Sequence, residues 1–454
     1  MSYVAINPAT GETIASYETL DAAGIEKVLA TAASTFAQWR QTSFEERSLL
    51  MVRAAELLEG ELPVIAQLMT SEMGKTFAAA KGEVAKCAMT MRYYAEHAES
   101  MLAPEAIASP AKNSGVRFDP LGPVLAVMPW NFPLWQAVRF AAPAIMAGNV
   151  GILKHASNVP GCAEFLGNLF TRAGFPAGVF QNAFIAVKDI AGVIHDPRIA
   201  AVTLTGSEGA GRAVAAAAGD ALKKCVLELG GSDPFIVGES ANLDDVIPYA
   251  VTARIQNNGQ SCIASKRFIV VASQYDAFVE RFADAMTEVA LGDPMEAATI
   301  VGPVATAAQR DLLMAQISES VAQGAIVRAG GFAPDRPGFF VAPTVLTDVP
   351  SDSRAGCEEL FGPVAVVIKA RDLDDAIAIA NDTPWGLGSS IWATDQAEID
   401  RATVGLEAGM VFANAIVAST PELPFGGIKN SGYGRELSAF GIREFVNIKT
   451  YYQV

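Results

Sequence analysis

The chain has 454 residues, of which 51% are apolar and 18% charged, with a formal net charge of −16. This composition suits two or three globular domains and argues against a disordered chain, and the negative charge argues against nucleic acid and anionic membranes as partners. Five scattered cysteines (Cys87, Cys162, Cys225, Cys262, Cys357) without a CxxC pair, and only three histidines, speak against a disulfide framework and a metal centre and suit a reducing cytoplasm. The first residues lack the basic and apolar regions of a signal peptide, and the apolar stretch 137–150 is too short for a bilayer and is broken by Pro143 and Gly148. A soluble cytoplasmic protein is expected.

Residues 4–17 alternate apolar and polar around Asn7-Pro8 and Gly11, which predicts a hairpin. Helical periodicity follows over 21–40, 43–58, 62–75 and 76–103. Residues 104–120 are rich in breakers and read as an extended arm. Strands are then predicted at 124–128, 150–154, 179–184, 200–204 and 224–229, with helices at 134–147, 160–173, 188–195 and 210–218 between them. This alternation predicts a doubly wound parallel α/β sheet. A second α/β pattern begins at Pro234, with strands near 268–272, 325–329, 364–369 and 410–413 and helices near 244–258, 274–289, 306–323 and 372–380. The tail 445–452 is β-rich, as in strands tied to a partner sheet.

The stretch from Arg254 to Phe268 organises this reading. A polar turn, Asn257-Asn258-Gly259-Gln260-Ser261, delivers Cys262 just before the apolar run Phe268-Ile-Val-Val-Ala. A thiol on such a loop is open to substrate and surrounded by amide donors, as a nucleophile requires. Other motifs fall at strand ends, where open α/β folds bind ligands. They are Pro129-Trp-Asn-Phe-Pro133, Lys154-His-Ala-Ser157, Leu204-Thr-Gly-Ser-Glu-Gly-Ala-Gly211, Leu227-Glu-Leu-Gly-Gly231, Glu359-Leu-Phe-Gly-Pro363 and Pro424-Phe-Gly-Gly427.

In this order the motifs resemble the aldehyde dehydrogenase superfamily along essentially the whole chain, and in detail its bacterial NADP-linked succinate-semialdehyde dehydrogenases. The resemblance implies a Rossmann-like cofactor domain (1–106 and 128–229), an α/β catalytic domain (230–425) and a small β oligomerisation arm (107–127 and 432–454) that makes a homodimer or homotetramer. It implies Cys262 as nucleophile, Glu228 as general base and Asn131 as oxyanion donor. Trp130, Lys154, Ser157, Gly206, Ser207, Gly211, Leu229, Glu359 and Phe361 match the cofactor site.

Members of the family that prefer NAD commonly carry glutamate at the position of Ser157, and that carboxylate would repel a 2′-phosphate. Serine there, beside Lys154, predicts NADP, with NAD used less efficiently. His155 stands where the family usually has proline. Arg139, with Trp135 four residues before it on one helix face, matches the arginine that binds the substrate carboxylate. Ser261 and Ser419 fall near the same group. Some members carry a second arginine six residues before the nucleophile; Gln256 stands there, with Arg254 two residues further back. The expected reaction is the oxidation of succinic semialdehyde to succinate, through a cysteine thiohemiacetal and a thioester hydrolysed by water that Glu228 activates. Alternatives are another small aliphatic or aromatic aldehyde, acyl transfer to coenzyme A, and a non-catalytic protein on the same fold.

Overall fold

The computed structural model describes residues 2–454. Strands β1 (Ser2–Ile6) and β2 (Thr13–Glu18) form the expected antiparallel hairpin. Four helices follow: α1 (Ala22–Trp39), α2 (Phe44–Gly60), α3 (Leu62–Met73) and α4 (Phe77–Met101). Their ends are written locally. Ser43 and Glu46 make a reciprocal capping box at α2, and Thr76 Oγ1 accepts from the Ala79 amide at α4. Gly74, at φ 80, closes α3 in the left-handed conformation.

The chain then enters a three-stranded antiparallel sheet of β3 (Glu105–Ala106), β4 (Asn113–Pro120) and the terminal strand Val446–Gln453. This sheet differs at both edges from the expected 107–127 and 432–454. Residues 123–127, Pro-Val-Leu-Ala-Val, are almost wholly buried and form β5 (Pro123–Val127), which belongs to the next sheet because an all-apolar strand needs cover on both faces. At the other end Gly432–Tyr433 pairs with Glu228 and Leu227, not with the arm.

The next sheet continues with β6 (Val150–Lys154), β7 (Phe180–Asn182), β8 (Ala201–Thr205) and β9 (Lys224–Glu228). Its order is β9-β8-β5-β6-β7, all parallel, with Gly432–Tyr433 antiparallel beyond β9. The helices α5 (Trp135–Met146), α6 (Pro160–Arg172), α7 (Ile190–His195) and α8 (Glu208–Asp220) connect these strands. Every residue of α5 is buried, so its two long polar side chains, Gln136 and Arg139, need partners inside the protein. Strand order reverses between β5 and β8, which opens a crevice at their carboxyl ends.

A second, seven-stranded sheet contains β10 (Pro234–Val237), β11 (Arg267–Val271), β12 (Ile326–Ala329), β13 (Thr344–Thr347) and β14 (Val364–Ala370). Its order is β12-β13-β14-β11-β10, followed by Gly388–Trp392 and Met410–Ala413. All pairings are parallel except β12 with β13. Between β10 and β11 runs α9 (Leu243–Ile255), which leads to Cys262. It stops three residues short of the expected end at 258, because Asn257 and Asn258 leave the right-handed region. Among the described residues no helix is long and apolar enough to cross a membrane.

Candidate active site

The Cys262 loop is a built structure. Asn257, Asn258 and Gly259 take φ of 54°, 58° and 74° in succession. Two consecutive non-glycine residues in this region cost on the order of 1–3 kcal/mol each and persist only when surrounding contacts fix them. Here the Asn258 amide donates to the carbonyls of Gly74 (2.8 Å) and Pro303 (3.0 Å), and its Oδ1 accepts from the Gly302 amide (2.9 Å). Gly259 has no alternative, since a Cβ there would lie 2.2 Å from the Gly362 carbonyl carbon. Fully buried Arg254 donates to the Gly259 carbonyl at 2.7 Å. From the other side, buried Lys266 donates to the carbonyls of Ser261 (2.9 Å) and Cys262 (2.6 Å) and pairs with Glu359 at 3.1 Å. Asn258, a member of the expected polar turn, and Lys266, which the sequence does not single out, thus hold the thiol loop.

Cys262 borders two cavities. One, of about 230 Å³, is lined by Trp135, Arg139, Ser261 and Ser419, all four expected substrate residues, together with Lys86 and Gln256. The other, of about 310 Å³, lies at the carboxyl ends of β5 and β8 and is lined by Trp130, Asn131, Gly206, Ser207, Leu229, Glu359 and Phe361. Trp130 and Phe361 meet edge to face, with centroids 5.7 Å apart. Ser207 caps α8, so that helix N-terminus opens on this second cavity. Glu359 accepts from the Gly231 amide at 3.2 Å, and a Cβ on Gly230 would lie 2.5 Å from its Oε2. Asn131 Nδ2 donates to the Gln260 carbonyl at 3.1 Å, while Asn257 Nδ2 donates to the Asn131 carbonyl at 2.7 Å. An amide nitrogen has two hydrogens, so Asn131 keeps one for a ligand.

Three expected cofactor residues lie outside these walls. Lys154 and Ser157 sit at and just beyond the end of β6, with the Lys154 ammonium 5.6 Å from the centroid of the Tyr3 ring and Ser157 exposed. Gly211 is buried against Leu229, where a Cβ would come within 2.6 Å of Cδ2, so its place is close helix packing.

Glu228 also differs from a simple picture. Its carboxylate is buried and has no hydrogen-bond partner among the described residues. It does not line either Cys262 cavity but faces Gly426, whose Cβ would meet Oε1 at 2.6 Å. Burial, and then the neighbouring Glu436, push it well above the usual carboxylate range, although Arg139 and Arg435 pull the other way. Burial thus favours the uncharged acid over the carboxylate. Arg139 forms a buried ion pair with Glu436, lies 4.4 Å from the Phe425 ring centroid and reaches Thr205 at 3.4 Å. The arginine expected to be open to a ligand is thus already matched by a carboxylate. Burial pushes the Cys262 thiol up to about 12, against the pull of Arg139 and Lys266, so it rests as the thiol.

His155 has a clear place. Its Nε2 meets the Pro133 carbonyl at 2.7 Å and its Nδ1 accepts from the Ala156 amide at 2.8 Å, which fixes the neutral tautomer. It ties the end of β6 to the Pro129–Pro133 turn that carries Asn131. Burial lowers its pKa from 6.5 to about 4. The unfolded chain therefore takes up a proton between pH 6.5 and 4 that the folded chain refuses, and stability falls as pH falls through that window. The loss amounts to about 3 kcal/mol at the acid end. Thermal melting at pH 7 and pH 4.5 should show a smaller acid shift in His155→Gln than in the parent chain.

With this geometry in place, the comparisons with known proteins are direct. The sequence matches the model of the aldehyde dehydrogenase family over residues 1–451, and the chain belongs to that family. It is 53% identical over 453 residues to succinate-semialdehyde dehydrogenase (NADP+) 1 of Mycobacterium tuberculosis H37Rv, covering 99% of both chains. It is 54% identical over 453 residues to succinate-semialdehyde dehydrogenase (NADP+) of Mycobacterium leprae, again over 99% of each. The crystal structure of succinic semialdehyde dehydrogenase from Streptococcus pyogenes, in complex with NADP+ as the cofactor, matches with a TM-score of 0.97 and 38% identity over 99% of each chain.

Proposed function

We propose that this protein oxidises succinic semialdehyde to succinate and reduces NADP. The observation that carries the reading is that one thiol, Cys262, borders both a cavity with substrate-type residues and a cavity at the carboxyl ends of a doubly wound sheet. The relatives named above supply the substrate and cofactor classes.

In this reading the Cys262 thiol gives its proton to water, and Sγ then attacks the aldehyde carbon and opens the C=O double bond onto its oxygen. The oxyanion is held by the free Asn131 N–H and the Cys262 backbone N–H, each such donor being typically worth roughly 3–4 kcal/mol. Bound NADP supplies the hydride acceptor. Trp130, Phe361 and Glu359 would orient it, the N-terminus of α8 would hold its pyrophosphate, and Lys154 with Ser157 would hold its 2′-phosphate. Glu228 gives up its proton to solvent, turns from Gly426 toward the thioester and takes a proton from the hydrolytic water, whose oxygen bonds to the acyl carbon as the C–S bond breaks and Cys262 Sγ leaves. The three-stranded sheet of β3, β4 and Val446–Gln453 serves as an oligomerisation arm, since Val446–Gln453 pairs on one side only and exposes Ile448 and Tyr452.

A second reading, an NAD(P)-dependent dehydrogenase of an uncharged small aldehyde, is favoured by the Arg139–Glu436 pair, which spends the charge expected for the substrate. Initial rates with succinic semialdehyde and butanal, each with NADP and NAD, decide between them. The expected result is a kcat/KM that favours the semialdehyde by more than about tenfold, or about 1.4 kcal/mol. NADP should be preferred, and Ser157→Glu should shift that preference toward NAD. Equal or better use of butanal would leave only the second reading.

A further inference from the structure

The substrate cavity contains a cation that the sequence reading does not single out. Lys86, on α4, lines it together with Cys262. Its ammonium donates to Ser419 Oγ at 2.7 Å and lies 4.1 Å from the centroid of the Trp135 ring. It has no ion-pair partner among the described residues. The carboxylate nearest in sequence, Glu83, is spent elsewhere. Glu83 Oε2 pairs with Lys75, and Oε1 accepts from the amides of Leu134 (2.8 Å) and Trp135 (2.9 Å) at the start of α5. Of the two cations in the cavity, Arg139 is neutralised by Glu436, and Lys86 is not.

We propose that Lys86, with Ser419, is the principal anchor of the substrate carboxylate and so determines preference for an ω-carboxy aldehyde. This rests on the reading of the site as an aldehyde-oxidising one. Binding an anion at Arg139 would mean sharing or breaking a buried ion pair, which leaves a carboxylate without its partner. Binding at Lys86 breaks nothing. An ammonium has three N–H donors, and Ser419 accepts one. The Trp135 face and the apolar side chains of Ile416, Val417 and Phe425 line the same cavity, and an apolar wall beside a charge-assisted hydrogen bond strengthens it. The chain's overall charge of −16 repels anions, so an uncompensated local cation is what an anionic substrate requires. Burial, and then Arg139, lower Lys86 to about 8, so it is mostly charged at pH 7, and a bound carboxylate would keep it charged. Gln256, which lines the same cavity, is neutral and adds no further positive charge for an anion.

The test compares kcat/KM for succinic semialdehyde and butanal in the parent chain, Lys86→Met and Lys86→Arg, with inhibition by succinate as a binding measurement independent of turnover. Lys86→Met should lower the semialdehyde-to-butanal ratio by at least about tenfold, chiefly through KM, and weaken succinate inhibition by a similar factor. Lys86→Arg should retain most of both. Lys86→Gln replaces Met if the latter does not fold. If the parent chain prefers the semialdehyde and Lys86→Met keeps that preference, the assignment of Lys86 is overturned and the reaction stands. If the parent chain shows no preference, the assignment and the choice of substrate fall together.

Discussion

Replacing Cys262 by alanine should lower the rate of NADPH formation from succinic semialdehyde by on the order of 10⁵-fold or more, the loss typical of removing a covalent nucleophile. No other group can take over. Cys87 and Cys162 are fully buried in the core, Cys225 lies on β9, and Cys357 is exposed in the short helix Arg354–Cys357. The Ser261 hydroxyl lines the same cavity, but a serine without an adjacent base is a weak nucleophile. Binding of NADP, followed by fluorescence, separates this loss from damage to the cofactor cavity. Residual turnover within about a hundredfold of the parent would remove Cys262 from the chemistry. Because the thiol is pushed up to about 12, alkylation of the cofactor-free protein at pH 7 should be slower at Cys262 than at exposed Cys357.

The second large effect concerns Glu228. Glu228→Gln should reduce steady-state turnover by roughly 10²–10⁴-fold, as removal of a general base does, yet leave a first-turnover burst of NADPH. In the proposed mechanism thiol attack and hydride loss come before the water is needed, so the burst should survive. Rapid mixing with excess enzyme reads the two phases separately. The pH profile carries a sign. Glu228 is held well above the usual carboxylate range by burial and by Glu436, so it is protonated at low pH and becomes a base only as pH rises. Deacylation should therefore fall on the acid side at a higher pH than an ordinary glutamate would give, and this limb should be lost in the glutamine variant. A Glu228→Gln protein with no burst would mean that Glu228 acts before hydride transfer, or only on structure.

Much of this was legible in the chain. The alternating strands and helices of 123–228 stand out because each strand is short, apolar and bounded by breakers, and the motifs at their ends mark the crevice. Gly388–Trp392 was not legible. Gly-Ser-Ser-Ile-Trp has no apolar run to mark it, yet all five residues are buried, and Ser389 donates to the Met410 carbonyl at 3.0 Å, so its polar side chain is satisfied inside a sheet. The strand β13 is only four residues long and follows Pro343. Among the site residues, those on motif loops could be read directly. Lys86 and Glu436 could not, because each acts through a contact far away in sequence, Lys86 with Ser419 and Glu436 with Arg139, and Lys266 carries no local sign that its ammonium folds back on the carbonyls of Ser261 and Cys262. A lysine on an amphipathic helix carries no local sign that it faces inward. The pairing of Arg139 with Glu436 was not legible for the same reason, since its partner lies 297 positions downstream, at 436 against 139.

The left-handed turn before the thiol also sets how the protein ages. Asn258-Gly259 is the dipeptide most prone to spontaneous deamidation, which begins when the glycine amide nitrogen attacks the asparagine side chain. Here that side chain is pinned by three hydrogen bonds and the flanking backbone is fixed, so the ring-closing geometry is out of reach while the protein is folded. Local opening removes that protection. Once an aspartate forms, its carboxylate must face the carbonyl oxygens of Gly74 and Pro303, where the amide had donated, and the loop cannot close again in the same way. Each excursion of this turn thus carries a small, irreversible risk of losing the geometry that holds the thiol.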